Sequence, residues 1–328
     1  MRCRSSYGRG TLLSFIEVRI KMRIRLIDVD GHNFPNLPLM KISAYHKSLG
    51  DEVEWYDPLL DWITIPDIVY MSKVFSYTPD YEHPINGKKI IKGGTGYYFP
   101  SGGEPLPKEI EDSFPDYSIY PQFADTAYGF LTRGCPRGCD FCIVAEKEGK
   151  KSRKVADLSS FWNGQKNIVL LDPNLFACKE WEELSQQLID SKAWIDFSQG
   201  CDIRIMTPEK INALQRMKIK QIHFAWDRYE EKDIIVPKFQ QFKEATGWDY
   251  RKMTVYVLCG FDTSFEQDLE RIYILRDLGY NPYVMIYDKY KLKRSDPLKK
   301  LQRWVNSRCT FQVCKRFEDY TRSIDKAK

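Results

Sequence analysis

Long apolar runs are missing from this chain of 328 residues. No stretch approaches the roughly 18 consecutive apolar residues that cross a bilayer, so a transmembrane span is excluded. No internal repeat or low-complexity tract appears. The opening stretch MRCRSSYGRGTLLSFIEVRIK has Arg and Ser but only a broken apolar segment and no small-residue cleavage site, which argues against a secretory signal. Histidine is scarce, with four residues: His32, His46, His83 and His223. The 43% hydrophobic and 29% charged fractions are those of a globular protein and exclude collagen-like, wholly disordered and disulfide-knot chains.

Cysteine and aromatics are plentiful. Nine cysteines are an odd number in a chain too long to need disulfide staples, so a reducing, cytoplasmic setting is expected, where clustered cysteines mean metal or catalysis. The net charge of +5 hides a polarity: residues 1–25 carry seven Lys/Arg against one acid and residues 288–328 thirteen against five, so the interior is acidic. A basic end meets nucleic acid, an acidic substrate or water.

The pattern predicts an α/β protein with two domains. Residues 1–21 read as an upstream tail, disordered or loosely packed, because Met22 opens the first convincing strand, MRIRLIDVD. Residues 22–98 read as a small Rossmann-like unit of four or five parallel strands. In it, the amphipathic stretch LPLMKISAYHKSLG forms a helix closed by Gly50. Residues 99–125, rich in Pro, Gly and acids, read as an irregular surface connector. From 126 to 290, six strands (YGFLTRG, NIVLLD, WIDFSQ, QIHFAWD, MTVYVLCG, NPYVMIYD) alternate with helices at centres about 27–39 residues apart, the spacing of β/α units. Thr207 with Pro208 starts one helix, and Thr263 with Glu266 is expected to form a capping box on another. The expectation is a partial (β/α)6 TIM-like barrel, followed by a basic extension over 291–328. Such barrels keep their chemistry in the loops after the strands.

Directly after the first barrel strand, RGCPRGCDFC sets Cys135, Cys139 and Cys142 in one glycine-bearing loop. Randomly scattered cysteines would give this spacing on the order of 0.007 times. Three thiolates suit a 4Fe–4S cluster with one iron left open. A zinc site wants a fourth Cys or His, and every histidine is far off in sequence. A distant Cys178, Cys201, Cys259, Cys309 or Cys314 completing four ligands would instead give structural zinc or an electron-transfer cluster. Cys178 and Cys259 sit at apolar positions and read as core.

The cysteine spacing, with Phe141 just before the third cysteine, resembles the radical S-adenosylmethionine superfamily over about residues 126–290. The α/β unit before it resembles the cobalamin-binding-like domain of one branch. The resemblance implies that Cys135, Cys139 and Cys142 hold a 4Fe–4S cluster whose open iron chelates S-adenosylmethionine. An external one-electron donor such as flavodoxin or ferredoxin would reduce it. Reductive cleavage to methionine and a 5′-deoxyadenosyl radical, which takes hydrogen from substrate, would follow. Phe141 would pack beside the adenine. After the second strand, Asp172 and Asn174 in LLDPNLF would serve the cofactor's amino group, although the family's Gly-Gly-Glu-like motif is absent. Ser198, Gln199, Asp202 and Arg204 in SQGCDIR would meet ribose and carboxylate, and Gly260 would let backbone approach the adenine; Asp227 and Asp262 lie at neighbouring strand ends. In DVDGHNFPN, Asp30 and His32 match part of the cobalamin Asp-x-His-x-x-Gly motif. Pro35 replaces its glycine, so an empty domain is expected rather than a cobalamin site. The substrate is read as RNA or a nucleotide met by Lys289, Lys291, Lys293, Arg294, Lys299, Lys300 and Arg303. A peptide or small metabolite is the alternative, and a non-enzymatic electron carrier or sensor a third.

Overall fold

The computed structural model describes residues 20–321 of the chain, so the tail expected over 1–21 lies almost wholly outside the described residues. Two parallel sheets organise the fold. The first contains β1 (Arg23–Asp28), β2 (Glu52–Trp55), β3 (Ile68–Ser72) and β4 (Lys89–Gly93) in the order β2-β1-β3-β4, every pair parallel. Its core is Ile24, Leu26, Leu39, Ile42, Val53 and Ile110. The helix Leu37–Ser48 starts at Asn36, whose side chain accepts from Leu39 N, and Gly50 at φ +81 follows its end.

The second sheet takes six parallel strands in chain order: β5 (Thr126–Gly129), β8 (Asn167–Leu170), β9 (Trp194–Cys201), β10 (Lys218–Ala225), β11 (Met253–Cys259) and β12 (Asn281–Ile286). Between β5 and β8 lies a small antiparallel pair, β6 (Thr132–Arg133) with β7 (Arg153–Lys154). One face of the large sheet buries Ile168, Leu170, Ile195, Phe197, Ile222, Phe224, Val255, Val257 and Val284. Helices Trp181–Ser191, Pro208–Arg216, Lys232–Thr246 and Phe265–Asp277 follow β8 to β11, with amphipathic spacing that puts their apolar sides into this core.

Four expectations change in detail. YGFLTRG is not one strand: the chain leaves the sheet after Gly129, because Asp172 captures the N–H groups of Leu131 and Thr132 and diverts them. The first β/α unit carries only the single turn Val144–Lys147 instead of a full helix. The capping box belongs to Ser264 and Gln267, one residue later than expected, since Thr263 is used by Asp268. The stretch after 291 is not a separate extension at its start: helices Pro297–Asn306 and Arg308–Val313 bury Leu301, Trp304, Val305 and Phe311 in the large core.

The connector over 99–125 is also more than a surface wrap. Ile110 completes the small core, and Tyr120 is fully buried with its hydroxyl donating to Asp28 Oδ2 at 2.7 Å. Tyr117 donates to Phe161 O at 2.6 Å and accepts from Tyr128 N at 3.1 Å. Two hydroxyls three residues apart thus tie the small sheet to the large one. No described helix is long and apolar enough to cross a membrane.

Candidate functional site

The loop bearing Cys135, Cys139 and Cys142 is pinched at its base. Gly134 adopts φ +85, and a Cβ there would stand 2.2 Å from Lys151 O, so only glycine lets the two sides close. Cys135 N donates to Gly149 O at 3.1 Å, and Glu148 receives Arg133 at 2.8 Å and Gly134 N at 3.1 Å. Beyond this neck the loop meets residues that follow four successive strands. After β8, Asn174 Nδ2 approaches Cys135 Sγ at 3.7 Å. After β9, Asp202 stands 3.9 Å from Arg137 Nε. After β10, Glu231 accepts from Arg137 at 2.6 Å and Arg228 pairs with Asp140 at 2.7 Å. After β11, Phe261 packs edge-on to Phe141 at 5.5 Å. The loop is therefore seated across the carboxyl ends of the large sheet, where α/β proteins build their sites.

The cysteines are free thiols, Cys135 and Cys139 half-buried and Cys142 exposed. Burial pushes the Cys139 thiol up, Arg137 opposes this, and the charges of Asp227, Cys142 and Cys135 add to it. Cys142, although the residue is exposed, is likewise raised by loss of hydration at its thiol, with Cys135 and Asp227 contributing. Cys139 and Cys142 thus feel the charges of neighbouring thiols, and a cation among them would relieve that repulsion. Among the described residues no three His, Cys, Asp or Glu side chains stand in a ready metal cage. The donor set nevertheless suits a thiophilic metal centre: three soft ligands on one loop, an amide N–H on one sulfur, and the buried, unpartnered Asn174 Oδ1 beside them.

The other expected site residues divide by what they touch. Asp172 is buried, accepts from Leu131 N at 3.1 Å and Thr132 Oγ1 at 2.6 Å, and burial lifts it to about 6 against those donors. Its carboxylate is spent on the turn after β5. Asp202 receives Arg204 Nε at 2.6 Å, and Arg204 reaches on to Glu231. Burial works against the Arg204 charge, but Asp202 and Glu231 hold it firmly. With Arg137 these form a four-member clamp between the cysteine loop and the ends of β9 and β10.

Ser198 and Gln199 do not lie in a loop after the strand. They form a bulge inside β9, where Phe197 and Cys201 pair with Ile222 and Phe224 and the residues between are extra; Gly200 at φ +104 permits it. Gly260 is glycine because φ is +74 and a Cβ would meet Leu298 Cδ1 at 2.7 Å. Asp227, below the loop, is pushed to about 6 by burial despite Arg271. Cys178, Cys201 and Cys259 are buried, and burial raises all three thiols.

In the small domain, Asp30 fixes the loop after β3 by accepting from Phe75 N at 3.3 Å and Thr78 Oγ1 at 2.6 Å. His32 packs its ring on Trp55 at 4.2 Å. Gly94 lies so near Lys73 that a Cβ would meet its carbonyl oxygen at 2.3 Å, a close backbone packing contact.

No family model and no curated protein matches the chain. Among solved structures it is similar to Streptococcus suis SuiB bound to S-adenosylmethionine, at TM-score 0.40 and 11% identity over 64% of this chain and 53% of that one. It is also similar to SuiB by itself (TM-score 0.40, 10% identity, 67% of this chain and 55% of that one). SuiB bound to precursor peptide SuiA gives TM-score 0.40 and 10% identity over 73% and 56%. The chain spans about half the length of SuiB. A likeness this loose assigns no function.

Residues that sequence reasoning passed over carry much of the site: Arg137, Arg228, Glu231 and Phe261. Arg137, inside CPRGC, was the visible signal, a cation between two thiols that needs an acidic partner. The buried pair Arg271 and Asp268 was missed too. Arg271 donates to Trp226 O at 2.6 Å, Asp227 O at 2.9 Å and Leu258 O at 2.7 Å, fixing the ends of β10 and β11 together.

Proposed function

We propose that the chain is a radical S-adenosylmethionine enzyme, built as an open (β/α)6 barrel behind a Rossmann-like domain. Cys135, Cys139 and Cys142 are the ligands of its 4Fe–4S cluster. The observation that carries the reading is the seating of a Cys-x3-Cys-x2-Cys loop across the carboxyl ends of a six-stranded parallel sheet, fastened to the loops after β8, β9, β10 and β11. Three cysteines leave one iron without a protein ligand, which an electron carrier does not need. When bound, the cluster supplies one electron to the sulfonium of S-adenosylmethionine.

The chain's own residues bind and orient. Asn174 donates to the Cys135 sulfur and keeps a carbonyl oxygen unpaired for the cofactor's amino group. The Arg137–Asp202–Arg204–Glu231 clamp holds the loop down, so Asp202 and Arg204 act by positioning. Phe141 and Phe261, with Tyr287 edge-on to Phe261 at 4.8 Å, form an apolar patch beside the cysteines. Asp172 shapes the turn that launches the loop. A one-electron donor such as flavodoxin or ferredoxin is the partner this chemistry requires, and a reducing compartment its setting.

The test is anaerobic reconstitution followed by dithionite and S-adenosylmethionine. The proposal expects 5′-deoxyadenosine and methionine from the full chain and none from a Cys135→Ala, Cys139→Ala, Cys142→Ala triple variant. Equal, background-level product from both would refute it.

A further inference from the structure

Parallel sheets ordinarily bury both faces. Here one face of the large sheet is the core, while the other shows polar and aromatic side chains. Val284 is fully buried, yet its neighbours in β12, Tyr283 and Met285, remain 43% and 47% exposed. Along the same face run Ser198 and Gln199 of the β9 bulge, Gln221 and His223 of β10, Thr254 and Tyr256 of β11, and Asn281 of β12. They line a cleft of about 550 Å3, with Arg308 at its rim. That volume falls in the range of small-molecule sites.

Two acceptors in the cleft, on Asn281 and His223, lack partners. Asn281 is 7% exposed and its Oδ1 is buried with nothing donating to it, whereas Asp196, outside the cleft lining, stands with Oδ1 3.6 Å from His223 Nδ1. His223 turns Nδ1 to Phe197 O at 3.0 Å, which makes Nδ1 the donor and leaves Nε2 as an acceptor. Unpaired buried acceptors cost free energy that a ligand with N–H donors recovers. Gln221 gives one amide proton to Thr254 Oγ1 at 2.9 Å, and Tyr256 is anchored by its hydroxyl on Ser198 O at 2.9 Å, so both are rigidly presented. The half-exposed ring of Tyr283 stands edge-on to Tyr256 at 5.9 Å and offers a face for stacking.

We propose that this cleft binds a nucleotide whose base carries an exocyclic amino group. Asn281 and His223 accept at the base edge, Tyr283 stacks on the ring, and Arg308 meets the phosphate. Amide side chains and tyrosine rings are the groups that read base edges and faces, and arginine is suited to phosphate. An amino acid or dipeptide would satisfy the acceptors and Arg308 but would leave the amides and rings without work. The inference deepens the proposed function by naming its substrate class, either a free nucleotide or one unit of a strand.

The experiment measures binding alone, on the full chain with reduced thiols and no cluster, so its failure and failure of the 5′-deoxyadenosine assay are separate results. Calorimetric titrations compare CMP with UMP, and AMP with IMP, each pair differing by amino against oxo. The amino member of at least one pair is expected to bind about tenfold tighter or more. For that ligand, its nucleoside and the exposed-site variant Arg308→Gln should each lose severalfold, and the loss should shrink in high salt. Asn281→Ala should erase the amino preference, and Tyr283→Leu provides a milder surface variant should Asn281→Ala fail to fold. A short oligonucleotide that binds more tightly than the mononucleotide identifies a strand as the source, and equal affinity identifies the free nucleotide. No binding within either pair, no amino preference, or dipeptides that bind where nucleotides do not would each overturn the proposal.

Discussion

Asp28 shows how a single buried carboxylate sets a pH dependence. Its Oδ1 has no partner, its Oδ2 accepts from Tyr120, and burial raises it to about 6 although Tyr120 opposes the shift. The folded chain therefore holds this proton more tightly than the unfolded one. The stability that comes from it is complete below the ordinary carboxylate value, declines as pH rises, and is gone above about 6. Asp28→Asn keeps an acceptor for Tyr120 without the charge. Denaturant titrations should find the variant more stable by about 2–3 kcal/mol at pH 7.5. The gain should vanish near pH 4. A variant no more stable than the parent at pH 7.5 would contradict this account.

At the scale of elements, backbone geometry decides where side chains end up. Gly260 ends β11 in the left-handed region, under Leu298 of the helix Pro297–Asn306. Gly260→Ala should cost about 2–3 kcal/mol, from the unfavourable φ together with the clash. Leu298→Ala removes only the clash, so the double variant should be more stable than the sum of the singles by about 1 kcal/mol. Strict additivity in chemical denaturation would show that Leu298 is not what excludes a Cβ. Elements were legible wherever apolar residues alternated. All six strands of the large sheet and the Pro208 helix start follow from pattern. The β9 bulge did not, because its cause is one glycine at positive φ in a run that reads as a plain strand. The split of YGFLTRG did not either, since it depends on Asp172, forty residues away. The capping box was displaced by one residue because two adjacent hydroxyls, Thr263 and Ser264, could each serve.

Across the whole molecule, the large sheet separates its roles by face and by end. One face is core, the other is a polar cleft, and the carboxyl ends carry the cysteine loop. Tyr117 and Tyr120 tie this arrangement to the small sheet through hydroxyls that composition could not reveal. That Cys135, Cys139 and Cys142 share one loop was legible from spacing alone. What each strand end contributes was less so: Asp202 and Arg204 spend themselves on each other and on Glu231, a pairing fixed only once β9 and β10 lie side by side.

The most direct test of the central claim is iron and sulfide analysis with electron paramagnetic resonance, on anoxically reconstituted full chain with and without S-adenosylmethionine. About four irons and four sulfides per chain are predicted. The reduced-cluster signal should shift when S-adenosylmethionine is added and disappear in each single variant of Cys135, Cys139 and Cys142. Zinc in place of iron, or a signal indifferent to S-adenosylmethionine that also needs Cys178, Cys201, Cys259, Cys309 or Cys314, would contradict it.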